Sequence, residues 1–249
     1  MGQPIGMKNL ASSWLDSYER NQSLGLFTTQ FSSLNMEEAY SFQRDVVRLR
    51  EARGDQRAGY KVGCLSPAIR NQLKLHQPVI GYLWQSEKHI SGDSLSAGEY
   101  TNLAIEGELA LEVPPEHATS WRCYLVMELH NLLEKVTAQA LVASNAMHAG
   151  IVFHPDVFFD VENGKEPSDL PISIEINETE VASGFPKDLP GGIFGSLGFL
   201  ERNLASRGER LKSGDWVLCG APTPLVPVIA GNRVAVRYGR HQLSINLIA

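Results

Sequence analysis

The 249-residue sequence predicts an α+β protein, with a mainly helical region over 1–78 and a β-rich region over 79–249. Apolar residues recur at helical spacing through the first sixty positions, whereas beyond residue 78 they fall in short runs between turns. Helices first and strands afterwards are typical of α+β proteins and not of a doubly wound sheet. The same pattern is compatible with one continuous domain.

The helical region is predicted to contain three helices and one strand. The second helix starts after Asn35, which with Glu38 has the spacing of a capping box. A short strand follows at 59–63, and a third helix covers about 66–75, with a proline where a helix tolerates it. The apolar stripe of the first helix is formed by Leu10, Trp14, Leu15 and Tyr18.

The β-rich region shows alternation of apolar and polar residues, which is typical of strands. The run after Ile172 leads into Asn177 and Glu178, which predicts a hairpin. One helix, over 194–204, ends before Gly208. The predicted strands cover 103–113, 172–176, 216–219, 234–238 and 243–247.

Composition limits the possible partners. Hydrophobic residues make up 43% and charged residues 20%, as in ordinary globular proteins. The net charge of −6 argues against nucleic acids and anionic membranes as partners, and no stretch has the apolar length of a membrane span. Cys64, Cys123 and Cys219 are odd in number and widely spaced. We therefore expect a reduced, cytoplasmic protein.

Glu106 and Glu108 stand one residue apart in the alternating run 103–113. In a strand, residues two apart point to the same face, so their Cα atoms lie roughly 6.5–7 Å apart. Two such charges repel unless the face is solvated, one carboxyl is protonated, or a cation lies between them. A wet sheet face and a site for a hard divalent cation both remain possible from this strand alone.

Six motifs follow one another in an order and spacing that resemble a known family. They are Gly59–Gly63, Gln77-Pro78 with Gly81, Ile105–Glu108, Met127–Leu129, Ala143–Ala146, and Ser213–Gly220 with Pro227 and Gly231. Together they resemble the 2-keto-4-pentenoate hydratase and 4-oxalocrotonate decarboxylase family of the fumarylacetoacetate hydrolase-like superfamily. The resemblance covers most of the chain and implies a mixed β-roll, aromatic compound catabolism and a homo-oligomer.

The resemblance also implies a metal site of three carboxylates, here Glu106, Glu108 and Glu128. Glu128 lies in the apolar run 124–129, where a charge must be paired or bind a metal. Mg²⁺ or Mn²⁺ suits such ligands, and Zn²⁺ is less favoured because no His or Cys stands at ligand spacing. The metal would chelate a small 2-oxo acid and stabilise its enolate.

Other residues are candidates for proton transfer and substrate binding. Lys61 matches the lysine that this family places at the substrate, although a lysine at a strand edge would also fit. The family usually has acids where this chain has Val79 and Asn131, so histidines are alternative acid–base groups. His148 is the first candidate and His76 the second. His130 is expected just beyond the metal ligands.

Asn145 and Thr223 are candidate substrate-binding residues, with a turn residue and a loop hydroxyl as the alternatives. The predicted activity is that of a metal-dependent lyase, a hydratase or decarboxylase, with altered acid–base residues. A C–C hydrolase of an acylpyruvate-type substrate is one alternative. A non-catalytic binding protein on the same fold is another.

Overall fold

The computed structural model describes residues 7–22, 25–133, 136–162, 164–165, 167 and 169–249. Six α-helices are described in these ranges. They are α1 (Met7–Glu19), α2 (Gly25–Ser32), α3 (Met36–Ala52), α4 (Pro67–Leu73), α5 (Ala138–Ala143) and α6 (Gly192–Ala205). None of the helices in the described part of the chain is long and apolar enough to cross a membrane.

The strands form two sheets. The first sheet has the order β2-β1-β11-β5-β6-β7-β3, with β12 paired to β5 and β8 paired to β6, and the second has the order β10-β9-β13-β14-β4. The first-sheet strands are β1 (Arg57–Gly63), β2 (Val79–Trp84), β3 (Lys88–Ile90), β5 (Leu103–Glu112), β6 (Ser120–Asn131), β7 (His148–Phe153), β8 (Phe158–Glu162), β11 (Trp216–Leu218) and β12 (Val226–Pro227). The second-sheet strands are β4 (Ser94–Ser96), β9 (Ile172–Ile176), β10 (Thr179–Gly184), β13 (Arg233–Tyr238) and β14 (His241–Ile248).

The helix starts and hairpins follow the sequence signals closely. At the start of α3, the Glu38 amide donates to Asn35 Oδ1 and the Asn35 amide donates to a Glu38 carboxylate oxygen, so the predicted capping box is confirmed. Strand β9 turns back into β10 through Asn177 and Glu178, both with positive φ, as the predicted hairpin requires. The predicted division at residue 78 falls between the paired strands β1 and β2. That division stays a prediction.

Helices α1, α2, α3 and α5 pack together in one hydrophobic cluster with Val79 of β2. Trp14 of α1, Phe31 of α2 and Phe42 of α3 are buried and meet in edge-on ring contacts around Phe42. The buried Gln43 side chain donates to the backbone carbonyls of Ile80 in β2 and Val142 in α5. The helical region is therefore tied to the sheet edge by hydrogen bonds as well as by apolar contacts.

The long hairpin β5–β6 has two very different faces. Leu109, Leu125 and Met127 point to the face that packs within the main hydrophobic cluster shared with the second sheet. Gly107 lies on this face, where an added Cβ would stand 2.7 Å from Ile172 Cγ2 and 2.9 Å from Val236 Cγ1. Only a glycine lets the two sheets approach so closely here. The glutamates on either side of Gly107 therefore point to the opposite face.

Candidate functional site

Two glutamates face each other at the middle of the β5–β6 hairpin. Glu106 and Glu128 are directly opposed in the antiparallel register, and Glu108 follows two residues along β5 on the same face. Glu128 and Glu108 are 0% and 1% exposed, whereas the Glu106 side chain keeps 22% of its surface. The cluster is thus open to solvent on the Glu106 side and closed on the Glu128 side.

Lys61 enters the cluster from β1. Its Nζ lies 2.8 Å from Glu128 Oε1, and its side chain is only 5% exposed. The lysine stem crosses Gly81 of β2, where an added Cβ would stand 2.9 Å from Lys61 Cγ. The glycine therefore leaves the space through which Lys61 reaches Glu128.

His148, the first residue of β7, joins the cluster on the side of the helices. Its Nδ1 lies 2.7 Å from Glu128 Oε1, and its Nε2 lies 3.9 Å from Glu87 Oε2. Glu87 in turn accepts hydrogen bonds of 2.7 Å from both Arg50 and Tyr18. The sequence did not indicate this series of contacts, which connects α1 and α3 to the glutamates through the His148 imidazole.

His130 lies inside the cluster, not beyond it. Its Nε2 is 3.0 Å from Glu106 Oε2 and 3.3 Å from Glu128 Oε2, and its side chain is 3% exposed. The ligand atoms of Glu106, Glu128 and His130 all lie within 4.8 Å of one another. The premise that no histidine stands at ligand distance is therefore wrong. Position 130 shares strand parity with Glu128, and that signal could have revealed it.

The pKa values of the cluster are strongly perturbed. Burial and the nearby Glu128 raise the pKa of Glu108 well above its usual range. A backbone hydrogen bond from Gly220 acts in the opposite direction but is outweighed. Burial alone would raise the pKa of Glu128, but Lys61 and His130 hold it well below its usual value. Burial alone would lower the pKa of His130, and Glu128 with Glu106 raises it to about 9. These are opposite environments for two carboxyl groups on one face.

The charges and donors of the cluster fit a divalent cation. Three carboxyl groups lie beside one ammonium, so ionisation of all three would leave an excess of negative charge that a divalent cation offsets. Glu108 Oε1 is buried without a hydrogen-bond partner and Glu128 Oε2 contacts His130 Nε2 at 3.3 Å, and carboxyl oxygens are suitable ligands for a hard divalent cation. Glu106 and Glu128 stand within ligand reach of each other, whereas the Glu108 carboxylate lies outside the group within 4.8 Å.

The structure gives Asn145 and Thr223 backbone roles. Asn145 Oδ1 accepts from the Tyr82 amide at 2.7 Å, and its Nδ2 donates to the Tyr82 carbonyl at 2.9 Å. These two hydrogen bonds connect the turn 145–147 to β2. Thr223 Oγ1 accepts from the Gly107 amide at 2.9 Å and donates to its carbonyl, in the gap that β11 and β12 leave along β5. Both side chains are thus already committed to backbone groups, whereas the sequence had suggested substrate contacts.

His76 is not brought to the cluster. It is exposed in the segment between α4 and β2, and no ion pair or hydrogen bond among the described residues joins it to the glutamates. Its place beside the Gln77-Pro78 motif suggested a catalytic role, and that role stays a prediction. His148 and Lys61, by contrast, both contact Glu128.

Known proteins resemble this chain in sequence and in structure. No family model matches it. The 2-hydroxyhexa-2,4-dienoate hydratase of Comamonas testosteroni is 27% identical over 237 residues, covering 85% of this chain and 86% of the hydratase. The 4-oxalocrotonate decarboxylase of Pseudomonas sp. strain CF600 is 25% identical, covering 85% of this chain and 84% of the decarboxylase.

Two solved structures define the fold. The 4-oxalocrotonate decarboxylase from Pseudomonas putida G7, complexed with magnesium and adipate, has a TM-score of 0.87 at 23% identity, covering 100% of this chain and 99% of that chain. The fumarylpyruvate hydrolase from Pseudomonas aeruginosa, in complex with Mn²⁺ and pyruvate, has a TM-score of 0.59 at 15% identity, covering 78% and 89%. The protein has the fumarylacetoacetate hydrolase-like fold, which confirms the predicted fold class.

The curated relatives of this chain share two kinds of activity. They are named as hydratases of 2-hydroxydienoates or 2-keto-4-pentenoate and as 4-oxalocrotonate decarboxylases. The predicted resemblance to the 2-keto-4-pentenoate hydratase and 4-oxalocrotonate decarboxylase family is therefore confirmed. The prediction of an enzyme of the lyase type is confirmed with it.

Proposed function

We propose that this protein is a divalent-metal-dependent lyase that hydrates or decarboxylates a small 2-oxo acid or its dienol. The observation that carries the proposal is the buried Lys61 ammonium, 2.8 Å from a Glu128 carboxylate that directly faces Glu106. A lysine and carboxylates buried together with unpartnered oxygens are typical of sites that bind and polarise a small anionic substrate. The names of the hydratase and decarboxylase relatives support the same reaction class.

Glu106, Glu108 and Glu128 would hold the ion, which we propose to be Mg²⁺ or Mn²⁺. Oxygen-rich ligand sets favour these ions, and the two solved neighbours hold magnesium and Mn²⁺. When bound, such an ion acts as a Lewis acid toward the carboxylate and 2-oxo groups of the substrate. The cluster is exposed on the Glu106 side, so the substrate would enter there.

Lys61 would hold the proton that the reaction needs. Burial by itself lowers the pKa of Lys61, but Glu128, Glu106 and Glu108 raise it above its usual value, so Nζ stays protonated. From this position Nζ can stabilise negative charge on a developing enolate and return a proton to it. Hydration and decarboxylation both pass through such an enolate, so one arrangement serves either outcome.

C–C hydrolysis of an acylpyruvate is the second candidate function. The observation that favours it is His148 at the cluster, 2.7 Å from Glu128, since a histidine in this position could activate a water molecule. The fumarylpyruvate hydrolase among the solved neighbours supports this alternative at the level of the fold. It requires water as the attacking group and gives two carboxylic products.

An ultraviolet assay in the presence of Mg²⁺ or Mn²⁺ separates these functions. The substrates are 2-hydroxypenta-2,4-dienoate for hydration, 2-oxohex-3-enedioate and oxaloacetate for decarboxylation, and an acylpyruvate for C–C hydrolysis. We expect metal-dependent turnover of one of the first three. Turnover of the acylpyruvate alone would favour the second candidate. No turnover of any of them, with metal still bound, would favour a non-catalytic binding protein.

Glu106→Gln tests the metal assignment directly. The half-buried amide keeps the shape of the side chain but loses its charge, so we expect metal binding and turnover to be lost with the fold intact. Glu112→Gln, on the same strand and face but outside the cluster, is the matched control. Metal binding measured by calorimetry and turnover that both survive in Glu106→Gln would show the assignment to be wrong.

A further inference from the structure

His130 lies where an ion held by Glu106 and Glu128 would find a nitrogen ligand in addition to the carboxylates. Its Nε2 stands between Glu106 Oε2 at 3.0 Å and Glu128 Oε2 at 3.3 Å. These three side chains form the group of potential ligand atoms that lie within 4.8 Å of one another. The strand positions of Glu128 and His130, two residues apart, direct both side chains to the same face.

Packing alone does not account for a histidine here. The ring is 3% exposed, and its other nitrogen, Nδ1, is buried without a hydrogen-bond partner. An unpartnered buried polar group destabilises the fold, and an apolar side chain of similar volume would avoid that cost. The chemistry of this position therefore lies in Nε2, which faces the carboxylates.

The donor types of the cluster also suit an imidazole ligand. Three carboxyl groups supply oxygen donors beside His130 Nε2, and divalent transition metals bind mixed sets of carboxylate and imidazole ligands. Glu108 Oε1 is buried without a hydrogen-bond partner, and Glu128 Oε2 lies 3.3 Å from His130 Nε2, so an ion at this point could bind oxygen and nitrogen together. A nitrogen from His130 would add a donor without adding charge.

We propose that His130 Nε2 is a ligand of the divalent ion bound by Glu106 and Glu128. Because imidazole suits transition metals better than it suits Mg²⁺, we further propose that the site prefers Mn²⁺ or Co²⁺ to Mg²⁺. This inference rests on the metal site of the proposed function. It adds a nitrogen to a ligand set that the sequence had predicted to be made of carboxylates alone.

Pulsed electron paramagnetic resonance of the Mn²⁺-loaded protein tests the nitrogen ligand without using activity. We expect a ¹⁴N coupling to the ion, replaced by a ¹⁵N coupling when the histidines are labelled with ¹⁵N. The coupling should be lost in His130→Gln. It should persist in His148→Gln, the other histidine of the cluster, and in His154→Gln, whose side chain is 38% exposed.

Calorimetry provides the second readout, on metal selectivity. The ratio of Mn²⁺ to Mg²⁺ affinity should fall by at least about tenfold in His130→Gln and stay at the wild-type value in His154→Gln. Labelled wild-type protein keeps the test valid even if His130→Gln fails to fold.

Mn²⁺ bound without any nitrogen coupling would overturn this inference and leave the lyase proposal standing. A ¹⁴N coupling that survives in folded His130→Gln would also overturn it. A nitrogen coupling lost in that variant, without turnover of any 2-oxo acid, would support the ligand and overturn the lyase. Failure to bind Mn²⁺ or Mg²⁺ at all would overturn both.

Discussion

Two lysines at opposite ends of one sheet face are stabilised in contrasting ways. Lys61 lies among carboxylates, 2.8 Å from Glu128. Lys88 of β3 lies over aromatic rings, with its Nζ 3.9 Å from the centroid of Trp216 and 5.1 Å from that of Phe153. Both ends belong to the face that carries Glu106, Ala110 and Tyr124 along the β5–β6 hairpin.

The pKa values of the two amines move in opposite directions. Burial lowers the pKa of Lys88 to about 8, with only Glu112 acting against it. At Lys61 the carboxylates outweigh burial and raise the pKa. A ring face attracts a cation but does not supply a negative charge, so only the carboxylate end binds its proton more tightly. The face is therefore divided into two halves. We call the part around Lys61 and Glu128 the electrostatic half and the part around Lys88, Trp216 and Phe153 the aromatic half.

Of the changes considered, replacing Glu128 in the electrostatic half should have the largest effect on stability. Glu128→Gln leaves buried Lys61 and the two histidines without their shared carboxylate, which we expect to lower the free energy of unfolding by about 3–5 kcal/mol in the metal-free protein. Urea denaturation followed by circular dichroism measures the change. A midpoint equal to that of wild type would show that Glu128 does not hold these cations together.

Replacing each lysine in turn with methionine tests whether only Lys61 contributes to catalysis. Lys61→Met should lower kcat by roughly 10²–10⁴-fold, the usual contribution of a positioned proton donor. The same change makes the cluster more negative, so metal affinity should rise. Lys88→Met should retain the wild-type kcat and metal affinity. Steady-state kinetics and calorimetry on both variants check this, and comparable losses of kcat in the two would remove the distinction.

In the aromatic half, titration of Lys88 should make the free energy of unfolding depend on pH. The pKa of Lys88 is lowered in the folded state to about 8, against roughly 10.4 in the unfolded chain. The unfolded state therefore binds more protons between these values, and the contribution of Lys88 to stability should rise with pH across this window. The contribution is lost again as the pH falls toward 8.

The difference between wild type and Lys88→Met isolates this contribution from other groups that titrate at high pH. Unfolding free energies at several pH values from 7 to 10.5 give the slope. We expect the wild type to gain stability relative to the variant as the pH rises. A difference that stays constant across the window would mean that the rings and Glu112 offset burial fully.

The smallest effect is expected at the outer end of β5. Glu112 shares the face of Glu106 and Glu108, but its side chain is 27% exposed and stands 3.7 Å from Arg122. Glu112→Gln should change the free energy of unfolding by less than about 0.5 kcal/mol, as is usual for exposed pairs. Urea denaturation at low and high salt measures this. A loss as large as that of Glu128→Gln would contradict the division into halves.

Local sequence patterns predicted the elements better than the contacts between them. The alternation around Glu106 gives β5, and the isolated charge of Glu128 in an apolar run marks its functional position. These signals depend on a period of two and on the cost of burying a charge, both of which are properties of a single segment. The capping residues Asn35 and Glu38 are likewise local.

Contacts between distant segments could not be obtained in the same way. The pairing of Glu106 with Glu128 depends on the β5–β6 register, and the approach of Glu87 to His148 depends on how the helices lie on the sheet. Asn145 adopts a φ of 58°, and its side-chain oxygen accepts from the Tyr82 amide, a contact between segments far apart in the sequence. Such three-dimensional contacts explain why the sequence placed His130 beyond the cluster and did not show that His76 lies in an exposed segment away from it.

Thr223 gives the Gly107 amide a side-chain acceptor in place of a strand carbonyl. That N–H lies between the two glutamates of β5, yet it belongs to no regular ladder. Its hydrogen–deuterium exchange therefore reports opening of the strand at this one point, independent of the protection of the surrounding sheet. This single backbone amide can therefore follow how firmly the centre of β5 is held in the wild-type protein.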